Sequence, residues 1–131
     1  MADLTKTVTL ARADAGAVVR PYQAAASGSL LDAVTVDTNG KVAKSVNASG
    51  KCIGLVVSSH RKNTSGTYAA NEQVGVCVWG PVEGFSGLTK GKLVYLAATS
   101  GVLADTGSVP IGYAESDTCV FVMPGIANAA S

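Results

Sequence analysis

The chain has 131 residues, of which 47% are hydrophobic, 5% aromatic and 15% charged, with a formal net charge of +1. That length supports one domain with a real core, and that hydrophobic content excludes disorder throughout. Lys and Arg are scattered singly, which excludes the basic stripe of a nucleic-acid binder and gives no attraction to an acidic membrane.

From the N-terminus, Met1-Ala-Asp-Leu-Thr-Lys lacks the basic-then-apolar pattern of a secretion signal, so folding in the cytoplasm is expected. No apolar run reaches the roughly 20 residues of a membrane helix. Thr5-Lys-Thr-Val-Thr-Leu alternates as a strand does, and a strand is expected over Thr5–Arg12. Helix formers at Leu10–Ala15 and Tyr22–Ala26 have neither a cap nor an apolar stripe. Ala24-Ala-Ala-Ser-Gly-Ser reads as a flexible connector. Residues 1–30 are therefore expected to form an extended arm and connector, and residues 31–131 one β domain. On that division, removing the first 15 residues leaves the domain folded.

Beyond the connector, period-2 segments rich in β-branched residues predict strands at Ala33–Asp37, Lys41–Val46, Lys51–Ser58 and Gln73–Trp79. Further strands are predicted at Leu93–Ala97, Pro110–Glu115 and Thr118–Met123. Asn39-Gly40 is the strongest hairpin signal, and Ser49-Gly50, Ser65-Gly66, Ser100-Gly101 and Thr106-Gly107 mark other turns. The fold class is all-β, a small barrel or sandwich.

An internal two-fold repeat organises the domain. AVTVDTNGKVAK, KCIGLVVSSH and GVCVWGPV in the first half (about 31–81) answer KLVYLAATSGVLAD, VPIGYAESD and TCVFVMPG in the second (about 92–125). Ile53-Gly54 matches Ile111-Gly112, and Cys77-Val-Trp79 matches Cys119-Val-Phe121. In each final strand the cysteine and the aromatic share one face and valines take the other, so both strands are expected to be buried on both sides. The glycine after each Ile suits a bulge or a close backbone approach. Arg61 to Asn71, an insertion in the first half, reads as a surface loop.

Candidate chemistry is sparse. Cys52, Cys77 and Cys119 match no metal spacing and read as buried, reduced, small hydrophobes. His60 is the single histidine and reads as a loop residue. Glu83 and Glu115 follow corresponding strands and could converge as a carboxylate pair, but read as solvated strand ends. Asp37-Thr-Asn-Gly lacks the later ligands of a calcium loop. Gly84–Gly91 lacks the Gly-Lys-Ser/Thr order of a phosphate loop. Trp79 and the tyrosines could make a carbohydrate platform, although Trp79 alternates as a core residue. No catalytic residue, cofactor or metal is expected.

Gly80-Pro-Val-Glu-Gly-Phe-Ser-Gly-Leu-Thr-Lys-Gly-Lys-Leu-Val-Tyr-Leu, then Ser100-Gly-Val-Leu and Pro110-Ile-Gly-Tyr-Ala-Glu-Ser, resembles the head decoration (capsid cement) proteins of tailed bacteriophages. The resemblance covers about Val74 to Met123, with a weaker echo in the first half, and mostly records turns and core strands. It implies a non-enzymatic virion protein on the outer capsid surface, partnered by the major capsid protein and by its own copies, a homotrimer being favoured. Neither nucleic acid nor membrane is an expected partner. The alternative is a phage tail, fibre or host-surface recognition module, which would show a trimeric stalk or a surface aromatic cluster, and neither is visible in the sequence. An arm that adds a strand to a neighbour makes Thr5, Lys6, Thr7, Val8, Thr9, Leu10 and Arg12 the candidate capsid or subunit contacts.

Overall fold

The computed structural model describes residues 3–59 and 66–124, and within them every regular element but one turn of 3-10 helix is a strand. The strands are β1 (Thr5–Lys6), β2 (Arg12–Ala13), β3 (Val18–Gln23), β4 (Gly28–Ser29), β5 (Ala33–Val36), β6 (Val42–Lys44) and β7 (Gly54–Ser59). There follow β8 (Thr67–Tyr68), β9 (Gln73–Glu83), β10 (Phe85–Ser86), β11 (Leu93–Leu96), β12 (Leu103–Ala104), β13 (Pro110–Ala114) and β14 (Cys119–Val122). The protein is all-β, as composition and periodicity require.

The main sheet runs β12-β11-β13-β14-β9-β7-β5-β6. Read from its two ends inward, it is β6-β5-β7-β9 and β12-β11-β13-β14, so the sequence repeat is also a repeat of topology. Strand β9 joins the halves: β7 and β3 flank its first part, β14 and β2 its last. The ladder corrects the letter match by two residues. Leu55 pairs with Cys77 as Tyr113 pairs with Phe121, so Phe121, not Cys119, is the counterpart of Cys77. A slip of two keeps every side chain on its face, which is why the letters still align. Gly54 and Gly112 are the fixed points. A Cβ on either would run into the carbonyl of Cys77 or Phe121 respectively. The Asn39-Gly40 hairpin forms as expected, with Asp37 Oδ1 accepting the N–H groups of Asn39 (2.9 Å) and Lys41 (3.0 Å). Asp37 is thus a turn residue.

Two apolar cores result. The first lies between the half-sheets and joins Ala33, Leu55 and Cys77 to Val94, Leu96, Ile111, Val120 and Val122. The second covers the opposite face of the first half-sheet, where Val34, Val56, Val74 and Val76 meet Ala24, Leu30 and Tyr68. Strand β9 is therefore buried on both sides over Val74–Cys77, as expected. Strand β14 is not. Val120 and Val122 point inward, but Phe121 is only partly buried, and Trp79 is 48% exposed rather than a core residue. The cause is a register shift where Val18 and Val19 meet Trp79 and Cys77, next to Gly80 at φ 115°. Such an irregularity turns the following side chains over.

The N-terminal residues also differ from expectation. The predicted strand over Thr5–Arg12 is broken by the 3-10 turn at Val8–Leu10. Extended as it is, the arm is not separate from the domain. Asp3 bridges to Ala104, Leu4 N–H donates to Leu103 (3.0 Å), β1 pairs with β10, and Thr7 N–H donates to Gly84 (2.7 Å). It thus spans the gap between β12 and β10, and Leu4 and Ala11 pack on the first core. The connector is packed too: Ala24 and Leu30 are buried, and β4 pairs with β8. In the insertion, Arg61–Ser65 lie outside the described residues, as does His60, whereas Tyr68 is a buried core residue and not part of a surface loop.

All three described thiols are free and buried, as the sequence suggests. Burial raises Cys52 from an ordinary 9.0 to about 11, Cys119 to about 12, and Cys77 in the same direction. Native protein should therefore react with a thiol reagent only slowly until denaturant is added, and rapid labelling of two thiols would contradict this. Linkage adds a second expectation. A thiol whose pKa is raised by folding contributes stability below pH 9, and loses it as pH rises from 9 toward 11 or 12. Denaturant titrations should show Cys52 alone costing on the order of 1 kcal/mol at pH 10 relative to pH 8. A Cys52→Ala variant should lack that increment.

Candidate docking face

On the outer side of the second half-sheet, ladder partners place four residues in one row across four strands. Leu93 stands opposite Tyr113, Tyr113 opposite Phe121, and Phe121 opposite Pro81. Tyr113 and Phe121 stack, with centroids 5.4 Å apart and planes 15° from parallel. Trp79 meets Phe121 edge-on at 5.5 Å and 86°. Val18, opposite Trp79, and Met123, two residues beyond Phe121, extend the patch. Trp79, Leu93, Val18 and Met123 are each 40–49% exposed. The row contains no charge. Rings held by cross-strand contacts make a flat, stiff apolar surface that loses little side-chain entropy on binding.

Charge lies immediately beside it. The adjoining row is Arg12, Glu83 and Cys119, again ladder partners. Arg12 Nε donates to Asp14 Oδ1 at 2.9 Å, and Thr118 Oγ1 donates to Glu83 at 3.0 Å. Burial, then Glu83, Glu115 and Asp14, all push the Cys119 thiol upward. Glu83 and Glu115 both neighbour Cys119, the one as its ladder partner and the other through Glu115 N–H to Cys119 O at 2.9 Å. Ligand atoms of Asp14, Glu83 and Cys119 lie within 4.8 Å of one another, but Arg12 already holds Asp14 and Thr118 holds Glu83.

Of the arm residues singled out from sequence, Thr5, Thr7, Thr9, Leu10 and Arg12 are exposed, Leu10 at 65%. Lys6 instead turns inward to Asp32, and Val8 packs on the second core. Arg12 and Leu10 reach the charged row just described, lining a shallow cavity with Glu83 and Thr118. From sequence, Trp79 and the tyrosines are weighed as a platform but Trp79 is preferred in the core, and Leu93 and Phe121 are given no surface role. Their alternation signals a strand with two apolar faces, and alternation does not say which of the two is covered. A shallow cavity of about 370 Å³ lies beside the arm, lined by Asp3, Leu4, Thr89, Lys92, Leu93 and Asp105. A scan against protein-family models gives no match, and no curated protein matches the chain.

Proposed function

We propose that the protein is a structural virion protein, a decoration or cement protein that binds the outer surface of a phage capsid and stabilises it. The major capsid protein is its partner, and a homotrimer its favoured state. The observation that carries this reading is the partly exposed aromatic face, a contact surface taken together with the resemblance over about Val74 to Met123. Apolar patches of this kind on a stable domain mark protein contacts. Asp14 is held by Arg12 and Glu83 by Thr118, which favours a structural use of these carboxylates, and binding over catalysis. Many copies on a lattice turn modest single-site affinity into high occupancy. Cosedimentation with expanded heads that lack the protein is the test. Bound protein should raise the heads' resistance to heat or chelators, and no binding would overturn the reading.

The same face favours a second reading, a tail, fibre or host-surface recognition module. Exposed aromatics that stack are what sugar rings dock against. Binding to cells or tail tips in place of heads would establish it.

A further inference from the structure

We infer that the Leu93–Tyr113–Phe121–Trp79 face takes an extended segment of the capsid protein in which apolar side chains adjoin Lys or Arg. This rests on the capsid reading and adds the chemistry of the partner. Three features of the face select that occupant. Its centre is uncharged, and its aromatics are locked by stacking and an edge contact, as expected for anchors. One flank carries Asp14 and Glu83, whose carboxylates lie within 4.8 Å of the Cys119 sulfur, and Glu115, whose N–H donates to Cys119 O at 2.9 Å, while Arg12 there is already held by Asp14. That flank is complementary to basic side chains and repels acidic ones.

The internal repeat supplies the third feature. In the first half, the ladder counterparts of Leu93, Tyr113 and Phe121 are Ala33, Leu55 and Cys77, which are buried against the second half-sheet. In the second half Tyr113 and Phe121 of the corresponding row stay partly exposed, touching each other and Trp79, and Leu93 is 48% exposed. One copy of the repeat is covered by protein, and the other presents the same row enlarged by aromatics. A row whose counterpart is covered by a β-sheet suits another protein chain better than a small ligand.

The experiment compares wild type with Trp79→Ser/Leu93→Ser and with Glu83→Gln/Glu115→Gln, by cosedimentation with expanded heads over a range of salt. Both Trp79 and Leu93 are half exposed, so melts of the first variant should match wild type and show it folded. Losing an aromatic anchor should weaken head binding about thirtyfold. The carboxamide variant should weaken binding several-fold at low salt and flatten its salt dependence, as screened ion pairs require. Binding unchanged in both variants overturns the inference while leaving the capsid reading intact. Loss of binding together with dissociation of the protein's own oligomer also overturns it, because the face is then covered by a second copy. Folded wild type that binds no heads overturns the capsid reading itself, and the inference with it.

Discussion

Removing residues 1–15 is expected to lower the melting temperature by about 10–20 °C, or to unfold the domain outright. The division of the sequence at residue 30 leads to the opposite expectation, and the reason for the reversal is geometric. Residues 3–7 join β12 to β10 through Leu4 N–H to Leu103 O, the β1–β10 ladder and Thr7 N–H to Gly84 O. Each of these bonds contributes about 0.5–1.5 kcal/mol net. Leu4 and Ala11 cover the first core, and Val8 covers the second. Lys6 is the nearer of two cations to the buried carboxylate of Asp32. Ordering the arm costs entropy, which offsets part of the gain, so the net loss is about 3–5 kcal/mol. Against a total of roughly 5–15 kcal/mol that is a large share. Adding a peptide of residues 1–15 back in trans should restore part of the melt. A truncated protein that melts with wild type would show that the arm contributes no stability.

The strands, the hairpin at Gly40 and the repeat were legible because each rests on local chemistry: β-branched alternation, a left-handed turn position, and glycines under a neighbouring carbonyl. The repeat was legible even at the level of topology, since the order of Ile-Gly and Cys-x-aromatic survives in the strand order. Two things were not. Burial on one face or two depends on what packs over a strand, and Val18 against Trp79 is a contact between residues 61 positions apart. One register shift there exposes Trp79, and no local pattern announces it. The polar arm and the Ala-Ser-Gly connector likewise look unstructured in isolation. Their order comes from Asp32, Tyr68 and the β12 edge, of which only Asp32 is near the connector in sequence and all are distant from the arm.

Asp32→Ala is expected to be the most destabilising single substitution among the polar residues described. Asp32 is 5% exposed and gathers four groups. Its Oδ2 accepts Ser29 N–H at 2.9 Å and the Tyr68 hydroxyl at 3.0 Å. Lys6 Nζ lies 3.4 Å from Oδ1 and Lys44 Nζ 4.0 Å from Oδ2. These reach it from the arm, the connector, β8 and β6, so one carboxylate ties together segments that the sequence separates. Burial, and then Asp32 itself, raises the pKa of the Tyr68 hydroxyl, which keeps it a donor. Gly28 fits the same node, since a Cβ there would strike the Tyr68 hydroxyl and the Asp32 carboxylate. Removing one partner of a buried ion pair costs about 3–5 kcal/mol, because the remaining groups stay desolvated and unpaired. Lys6 keeps 25% of its side chain in solvent, which places the expected loss toward the lower end. Asp32→Asn retains an acceptor and should cost less, about 1–3 kcal/mol. Tyr68→Phe removes one donor and should cost about 1–2 kcal/mol. The measurement is the urea midpoint at constant m-value, with a double-mutant cycle of Asp32→Asn and Lys6→Met to isolate their coupling. A coupling near zero would show that Lys6 is not held by Asp32, and the arm would then be fixed by its backbone bonds alone. A loss below about 1 kcal/mol in Asp32→Ala would refute its role as the node that holds these segments.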